Sequence, residues 1–190
     1  MPVVKPVIIA VVGMAGSGKS VVSDYLKSKG YPVLRFGDVT DEGLRLQGET
    51  LQEENERLYR ENLRRDLGMA AYAIKIEPRL KKALRYHSGV VILDGLYSWE
   101  EYLYLKPKFP QLKLLAVYTQ PELRLQRLSK RSIRPLTGAE TEARDQAEIE
   151  NLHKAGPIAL ADYLVTNNGS VSDLHSQLDI YLQGLSLQGL

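Results

Sequence analysis

One segment constrains this chain more than any other. Residues 13–20 read Gly-Met-Ala-Gly-Ser-Gly-Lys-Ser, which matches the pattern G-x-x-x-x-G-K-[ST]. The glycines allow backbone turns that a side chain would block, so backbone N–H groups can point inward and hold phosphate oxygens. The lysine supplies a mobile positive charge, and the final hydroxyl is a ligand for Mg²⁺. The segment therefore predicts a phosphate-binding loop.

The sequence around the loop has the order that such a site needs. An apolar run at residues 7–12 has the length of a buried strand, and a helical pattern follows Lys19 as far as Gly30. The start of that helix adds the positive end of its dipole to the phosphate site. The residues that we expect to contact the nucleotide in this region are Gly13, Ala15, Gly16, Ser17, Gly18, Lys19, Ser20 and Val21.

Short apolar runs recur along the chain with helical segments between them. They lie at residues 7–12, 31–36, 90–94, 113–118 and 162–166. Such runs are typical of strands that are buried on both faces of a parallel sheet. Strands alternating with helices predict an α/β fold, here a doubly wound five-stranded parallel sheet with helices on both faces. We expect a single domain over residues 1–190.

Two longer segments interrupt this plan. Residues 38–88 predict a helical insertion, in which Thr50 and Glu53 form a capping-box pattern and Gly68 and Pro78 separate about three helices. Residues 124–140 predict a short basic lid, because five cations and no acid fall within residues 124–134.

Composition excludes several classes of protein. The chain has no cysteine, which excludes disulfides, Fe–S clusters and thiol catalysis and suits a reducing compartment, so we expect a cytoplasmic protein. A formal net charge of +2 indicates neither nucleic acid nor a membrane surface as a partner. No apolar stretch approaches the length that spans a membrane.

Two kinds of side chain extend the phosphate site. Asp94 ends the apolar run at 90–94, where an aspartate holds Mg²⁺ in P-loop sites, so Ser20 and Asp94 are the predicted metal ligands. Arg127 and Arg131 share a helical face with Arg124, and a bound phosphate would relieve their mutual repulsion. The alternative is a solvated basic face that pairs with the acid-rich segment 140–150. Arg134 is a further candidate for the lid. Four arginines of the insertion suit either an acceptor phosphate or surface ion pairs with glutamates: Arg57, Arg60, Arg64 and Arg65.

Asp38 follows the second predicted strand, at the edge of the sheet where ligands bind. A carboxylate there suits a general base for an acceptor hydroxyl. It also suits a group that orients the surroundings of Mg²⁺, or the N-cap of the following helix. The sequence leaves these three roles open.

Together these motifs resemble the nucleoside and nucleotide kinases among P-loop proteins. The resemblance is to dephospho-CoA kinase and to the archaeal dephospho-CoA-kinase-like and adenylate-kinase-related family. It rests on residues 12–20, 35–38, 67–70, 94–101, 127–131 and 161–169. It implies a P-loop NTPase fold, ATP and Mg²⁺ as cofactors, an acceptor-binding helical insertion, a lid over the phosphates, and an adenine contact near Asn168.

Two departures from the family pattern concern the acceptor rather than the ATP donor. Leu96-Tyr97-Ser98 stands where monophosphate kinases often carry an arginine, and Asp38 is a single acid where dephospho-CoA kinase has an Asp-x-Asp-like stretch. We expect a phosphotransferase that moves the γ-phosphoryl of ATP to a small nucleotide-like acceptor, most similar to dephospho-CoA kinase. The alternatives are an adenylate-type monophosphate kinase and a slow ATP-binding regulatory switch. The predicted catalytic residues are Lys19, Asp38, Arg127 and Arg131.

Overall fold

The structure is a computed structural model that describes residues 6–87, 89–132 and 135–187, with side chains described as far as Leu185. Strands and helices alternate through these residues. The strands are β1 Val7–Val12, β2 Val33–Arg35, β3 Val90–Asp94, β4 Leu112–Tyr118 and β5 Tyr163–Thr166. The helices are α1 Lys19–Ser28, α2 Gly37–Gln47, α3 Glu53–Leu67, α4 Ala71–Tyr86, α5 Trp99–Leu105, α6 Pro121–Ser129, α7 Gly138–Glu150, α8 Ala155–Ala159 and α9 Val171–Leu187.

The five strands form one parallel sheet in the order β2-β3-β1-β4-β5. β1 lies in the centre, where Ile9 pairs with Ile92 of β3 on one side and with Lys113 of β4 on the other. This confirms the predicted doubly wound, five-stranded parallel sheet. The predicted second strand is shorter than expected, because a helix begins at Gly37 directly after it.

β1 is buried on both faces, which explains its unbroken apolar sequence. Ile8 and Ala10 pack on one face of the sheet with residues of α4 such as Ile76, whereas Ile9 and Val11 pack on the other with residues of α1 and α9. All four of these β1 residues are fully shielded from solvent. Helices therefore cover both faces of the sheet. The carboxyl ends of the strands are left as the place where a ligand can bind.

The insertion contains the three helices that were predicted, but their boundaries differ. Gly68 ends α3 as expected, whereas Pro78 lies inside an uninterrupted α4. A proline inside a helix removes one backbone hydrogen bond. Burial of Tyr72, Ile76 and Leu80 on the inner face of α4 outweighs that loss.

The predicted capping box of α3 is wrong. The helix begins after Gln52, whose side chain accepts no capping hydrogen bond. Thr50 instead accepts a hydrogen bond from Asn55 Nδ2 at 3.2 Å. The Thr50–Glu53 spacing was therefore present without the backbone geometry that a capping box needs.

The predicted lid region includes the end of α6 and the start of α7. Arg134 lies outside the described residues, and its predicted role in the lid stays a prediction. Within the described ranges, no helix is long and apolar enough to cross a bilayer.

Candidate active site

The phosphate loop joins the end of β1 to the start of α1 at Lys19. Gly13 and Gly18 have φ angles of 151° and 97°, in the region that favours glycine. A Cβ at Gly13 would lie 2.6 Å from the carbonyl oxygen of Val117, and one at Gly18 would collide with the side-chain amide of Asn167. These glycines therefore allow both the turn and its close contact with neighbouring strands.

Side chains that follow the other strands support the loop from behind. The carbonyl oxygen of Ser17 accepts hydrogen bonds from Thr119 Oγ1 and from Asn167 Nδ2, each at 2.9 Å. Arg124 donates to the carbonyl oxygen of Ala15 at 3.1 Å. The loop is therefore held in shape by groups that β4, β5 and α6 supply.

A cleft of about 290 Å³ opens along this loop at the carboxyl ends of the strands. It is lined by Gly16, Gly18, Lys19, Ser20, Val21, Arg35, Gly37, Asp94, Tyr97, Arg127 and Arg131. Most of the residues that the sequence predicts for the site are thus brought to one cavity. Gly13, Ala15 and Ser17 are buried within the loop itself.

Lys19 lies under strong and opposing influences. Its ammonium donates hydrogen bonds to the carbonyl oxygens of Gly13 at 2.9 Å and Met14 at 3.0 Å. Burial, followed by repulsion from Lys154, lowers the pKa of Lys19 to about 7, although Glu148 and Asp94 oppose the shift. A phosphate in the cleft would stabilise the charged form of this ammonium and raise its pKa.

Ser20 and Asp94 both line the cleft and together suit a magnesium ion. Burial raises the pKa of the Asp94 carboxyl, against the opposing effects of neighbouring cations that include Arg35 and Lys19. A nearby divalent cation would favour its ionised form. The described residues contain no cluster of three or more acidic, histidine or cysteine side chains that could enclose a metal. Such a partial ligand set fits Mg²⁺, which is usually held by one or two protein groups together with phosphates and water.

The three arginines near residue 127 have different environments. Arg124 is buried and forms an ion pair with Asp145, with its two nitrogens 2.8 and 2.6 Å from the carboxylate oxygens. Arg127 donates to the carbonyl oxygen of Asn167 at 2.8 Å and lines the cleft. Arg131 also lines the cleft. Among the described residues, neither Arg127 nor Arg131 forms an ion pair with a carboxylate, so both remain available to an anion.

The cleft also contains a cation for which the sequence predicted no role. Arg35, at the end of β2, lines the cleft, with its guanidinium 3.3 Å from Asp38 and 3.8 Å from Asp94. Asp38 lies in the first turn of α2 and does not cap it, because the N-cap residue is Phe36. The interpretation of Asp38 as an N-cap is therefore wrong. The predicted site residues follow the ends of the strands, whereas Arg35 is the last residue of its strand.

Some of the surface arginines of α3 form the ion pairs with glutamates that the sequence predicted. Arg60 pairs with Glu56 as predicted, and also with Glu53. Arg65 pairs with its neighbour Asp66. These pairs are partly or largely exposed, and such pairs contribute little to stability.

Three charged residues next to the loop were missed. Glu148 of α7 accepts hydrogen bonds from the Ala15 backbone N–H at 3.1 Å and forms an ion pair with Lys154 at 2.8 Å. Arg144 approaches the other carboxylate oxygen of Glu148 at 3.4 Å. Burial alone would raise the pKa of Glu148, but Lys154, Lys19 and Arg144 together lower it. No local pattern distinguishes Arg144 and Glu148 from the other charges of α7, or Lys154 from other lysines of the chain.

Asn168 does not line the cleft. Its side-chain oxygen accepts a hydrogen bond from the backbone N–H of Gln120 at 2.9 Å, which ties the turn after β5 to the start of α6. The neighbouring Asn167 is the residue that reaches the phosphate loop. An adenine contact at Asn168 stays a prediction.

Comparison with known proteins identifies the family. A family model described as "AAA domain" matches residues 9–151. A UPF0200 protein of Thermococcus kodakarensis is 34% identical over 175 residues, which cover 90% of this chain and 94% of the relative. One from Pyrococcus abyssi is 34% identical over 180 residues, covering 93% and 95%. The chain belongs to the UPF0200 family. The matched length shows that this UPF0200 protein aligns with its relatives over almost their whole length.

Solved structures place this UPF0200 protein in a wider fold group. TT1252 from Thermus thermophilus is 26% identical with a TM-score of 0.65, covering 95% of this chain and 98% of that one. A shikimate kinase from Acinetobacter baumannii is 19% identical with a TM-score of 0.59, covering 98% and 97%. Dephospho-CoA kinase from Campylobacter jejuni is 16% identical with a TM-score of 0.54, covering 94% and 96%. The fold is thus the kinase-like P-loop fold, as the sequence predicts.

Proposed function

We propose that this protein is an ATP-dependent phosphotransferase that moves the γ-phosphoryl group of ATP to a small nucleotide-like acceptor. One observation carries the proposal. One cleft is lined by the phosphate loop, by Ser20 and Asp94, and by Arg35. The same cleft contains Arg127 and Arg131, which have no carboxylate partners among the described residues. The kinase neighbours in fold space support the same reaction class.

Each side chain has a role that its position suits. Lys19 and the loop amides bind the phosphates of ATP, and Arg127 with Arg131 stabilises charge on the phosphoryl group during transfer. Ser20 and Asp94 hold Mg²⁺, which neutralises charge on the phosphate oxygens when bound. Such a reaction needs mainly positioning and charge stabilisation, which a rigid loop at the edge of a packed sheet provides.

For the acceptor we favour a hydroxyl group, as in a reaction similar to that of dephospho-CoA kinase. A hydroxyl needs a base, and a positioned carboxylate contributes on the order of 10²–10⁴ in rate. Asp38 is the candidate, because it lies next to Gly37 of the cleft wall and is free of a capping role. Its contact with Arg35 would hold the carboxylate in place.

Arg35 favours a second candidate, an adenylate-type monophosphate kinase. A phosphate acceptor needs a cation rather than a base. The sequence lacks an arginine at Leu96-Tyr97-Ser98, but Arg35 brings a guanidinium to the same cleft from β2. Two substitutions therefore separate the two candidate acceptors.

The experiment compares Asp38→Asn and Arg35→Gln across a panel of nucleoside monophosphates and hydroxyl-bearing CoA precursors, with ATP and Mg²⁺. A hydroxyl acceptor predicts that Asp38→Asn loses about 10²–10⁴ in kcat while KM for ATP stays within a few-fold. A phosphate acceptor predicts that Arg35→Gln abolishes transfer while Asp38→Asn keeps it. The control variants are Asp41→Asn and Arg45→Gln, which change the same residue types within α2.

Two outcomes would count against the proposal. ATP turnover that is equally slow with and without every acceptor would favour a regulatory switch instead. Unchanged transfer in a Lys19→Ala variant would remove the phosphate loop from the mechanism.

A further inference from the structure

A carboxylate occupies part of the phosphate loop in this structure. Glu148 Oε2 accepts the backbone N–H of Ala15, at a distance of 3.1 Å. Backbone amides of such loops are the groups that bind phosphate oxygens. A carboxylate oxygen and a phosphate oxygen are both anionic hydrogen-bond acceptors, so Glu148 fills a place that suits an oxygen of the nucleotide.

Glu148 is held there by a buried cation. Lys154 is 2% exposed and Glu148 is 7% exposed, and the two form an ion pair at 2.8 Å. The Lys154 ammonium also lies 5.4 Å from the centre of the Tyr97 ring, and Tyr97 lines the cleft. Lys154 is therefore a second lysine beside the phosphate cleft. It is not among the residues to which the proposed function gives a role in phosphate binding.

The carboxylate and the terminal phosphate of ATP would repel one another if both were bound to this end of the loop. Lys154 cannot be left without an anion, because an unpaired buried charge is strongly unfavourable. An exchange solves both problems, since one anion replaces another beside the same ammonium.

We propose that Glu148 is an internal substitute for the terminal phosphate of ATP, and that Lys154 passes from Glu148 to that phosphate when ATP binds. This inference rests on the proposed function, because it takes ATP as the ligand. The exchange makes Lys154 a phosphate-binding residue and requires the end of α7 to move away from Ala15.

The segment between α7 and α8 carries a natural reporter of such a movement. His153 has a φ of 48°, which is uncommon for a residue with a side chain, and its Nδ1 lies 2.8 Å from Glu100 of α5. Gly156 contacts the ring of Trp99, since a Cβ there would lie 2.8 Å from Trp99 Cε3. Trp99 is the only tryptophan of the chain, so its fluorescence reports on the segment from His153 to Gly156, which follows the end of α7.

The experiment measures binding of a non-hydrolysable ATP analogue and of ADP, both with Mg²⁺, by Trp99 fluorescence and by calorimetry. The variants are Glu148→Gln and the double variant Glu148→Gln/Lys154→Met. The double variant avoids leaving a buried charge alone, and thermal unfolding checks that each protein is folded. The matched controls are Glu150→Gln, at the exposed end of the same helix, and Lys113→Met, a partly exposed lysine elsewhere.

We expect Glu148→Gln to bind the ATP analogue about tenfold more tightly than the wild type, with a smaller gain for ADP. The double variant should lose that gain, and the Trp99 emission of the wild type should change on binding. Equal affinities of Glu148→Gln and the double variant for the analogue would overturn the role of Lys154. An equal gain for ADP would overturn the assignment to the terminal phosphate.

The same measurements separate this inference from the proposed function. Binding of the analogue by the wild type, without a difference among the variants, overturns the exchange alone. Absence of binding in every protein overturns the exchange and the proposed function together.

Discussion

Burial disfavours the charged forms of two ionisable residues in the cleft, Lys19 and Asp94. Lys19 is forced toward its neutral form, because removal from water and the nearby Lys154 both disfavour its charge. Asp94 is shifted in the opposite sense by the same loss of water. Each group is less stable in its charged form here than in solution. A ligand that brings phosphates and a divalent cation would stabilise the charged form of Lys19 and the charged form of Asp94.

Lys19→Met should separate the two consequences of burying this lysine. We expect turnover to fall by about 10² or more, because charge stabilisation of the phosphoryl group is lost. The variant should nevertheless be more stable than the wild type at neutral pH, by about 1–3 kcal/mol, because the cost of a buried ammonium is removed. Denaturant unfolding and steady-state kinetics on the same preparations measure the two effects.

The pH dependence of this stability difference has a definite sign. The pKa of Lys19 is about 7 in the folded protein and 10.5 in the reference state, so the unfolded chain binds more protons between these values. The wild type should therefore gain about 1 kcal/mol per pH unit relative to Lys19→Met as the pH rises through that range. A constant difference between the two proteins from pH 7 to pH 10 would contradict this account.

Helix ends are decided by backbone geometry that a four-residue pattern does not specify. The structure has capping boxes at Ser98–Glu101 of α5 and Thr137–Glu140 of α7, and none at the predicted Thr50–Glu53. All three share the residue types of the motif. Only the first two have a Ser or Thr at the N-cap position. Similarly, Pro78 resembles a helix breaker in the sequence, but the packing of α4 decides otherwise.

Ser98→Ala should destabilise the protein more than Thr137→Ala. Ser98 is fully buried, and its hydroxyl both accepts from the Glu101 N–H and donates to the carbonyl oxygen of Met69. We expect a loss of about 1–2 kcal/mol for Ser98→Ala and about 0.5–1 kcal/mol for the exposed Thr137→Ala. Equal losses in denaturant unfolding would show that the contact with Met69 contributes nothing.

Glu101 in the same capping box predicts a second pH effect. Burial raises its pKa to about 7, although hydrogen bonds from the Tyr97 and Ser98 N–H groups oppose the shift. The folded protein therefore binds an extra proton between pH 4.5 and 7, and this group makes stability fall as the pH rises through that range. Glu101→Gln should remove this part of the pH dependence, as unfolding curves at pH 5 and pH 7.5 would show. A wild-type slope that persists in the variant would assign the effect to other groups.

At the scale of the whole molecule, the site is assembled from distant parts of the chain. Residues 13–20 could be predicted because their conformation is set locally by glycines, and Asp94 because it ends a recognisable strand. Arg35, Glu148 and Lys154 could not be predicted. The position of Arg35 depends on the pairing of β2 with β3, and those of Glu148 and Lys154 depend on how α7 and the segment after it pack near the loop. No short pattern in the sequence encodes either arrangement.

Asn167 illustrates that dependence and is testable. It lies 150 residues from Ser17 and donates to its carbonyl oxygen, while its own carbonyl oxygen accepts from Arg127. We expect Asn167→Ala to lose about 1–2 kcal/mol of stability and to weaken ATP binding about tenfold, because the loop loses a support. Asn62→Ala, at the partly buried inner side of α3, serves as the control. Unchanged ATP affinity in Asn167→Ala would show that the loop keeps its shape without this link.

The central position of β1 has a consequence for how this protein is made. The strand and the loop that follows it are synthesised before the neighbouring strands β3 and β4, which begin at Val90 and Leu112, and before Asn167. Parallel strands with such distant partners pair slowly, and unpaired apolar strands tend to aggregate. During synthesis, the apolar segment 7–12 therefore remains unpaired until β3 and β4 have been made. We expect chaperones that bind nascent chains to stay bound longest at residues 7–12.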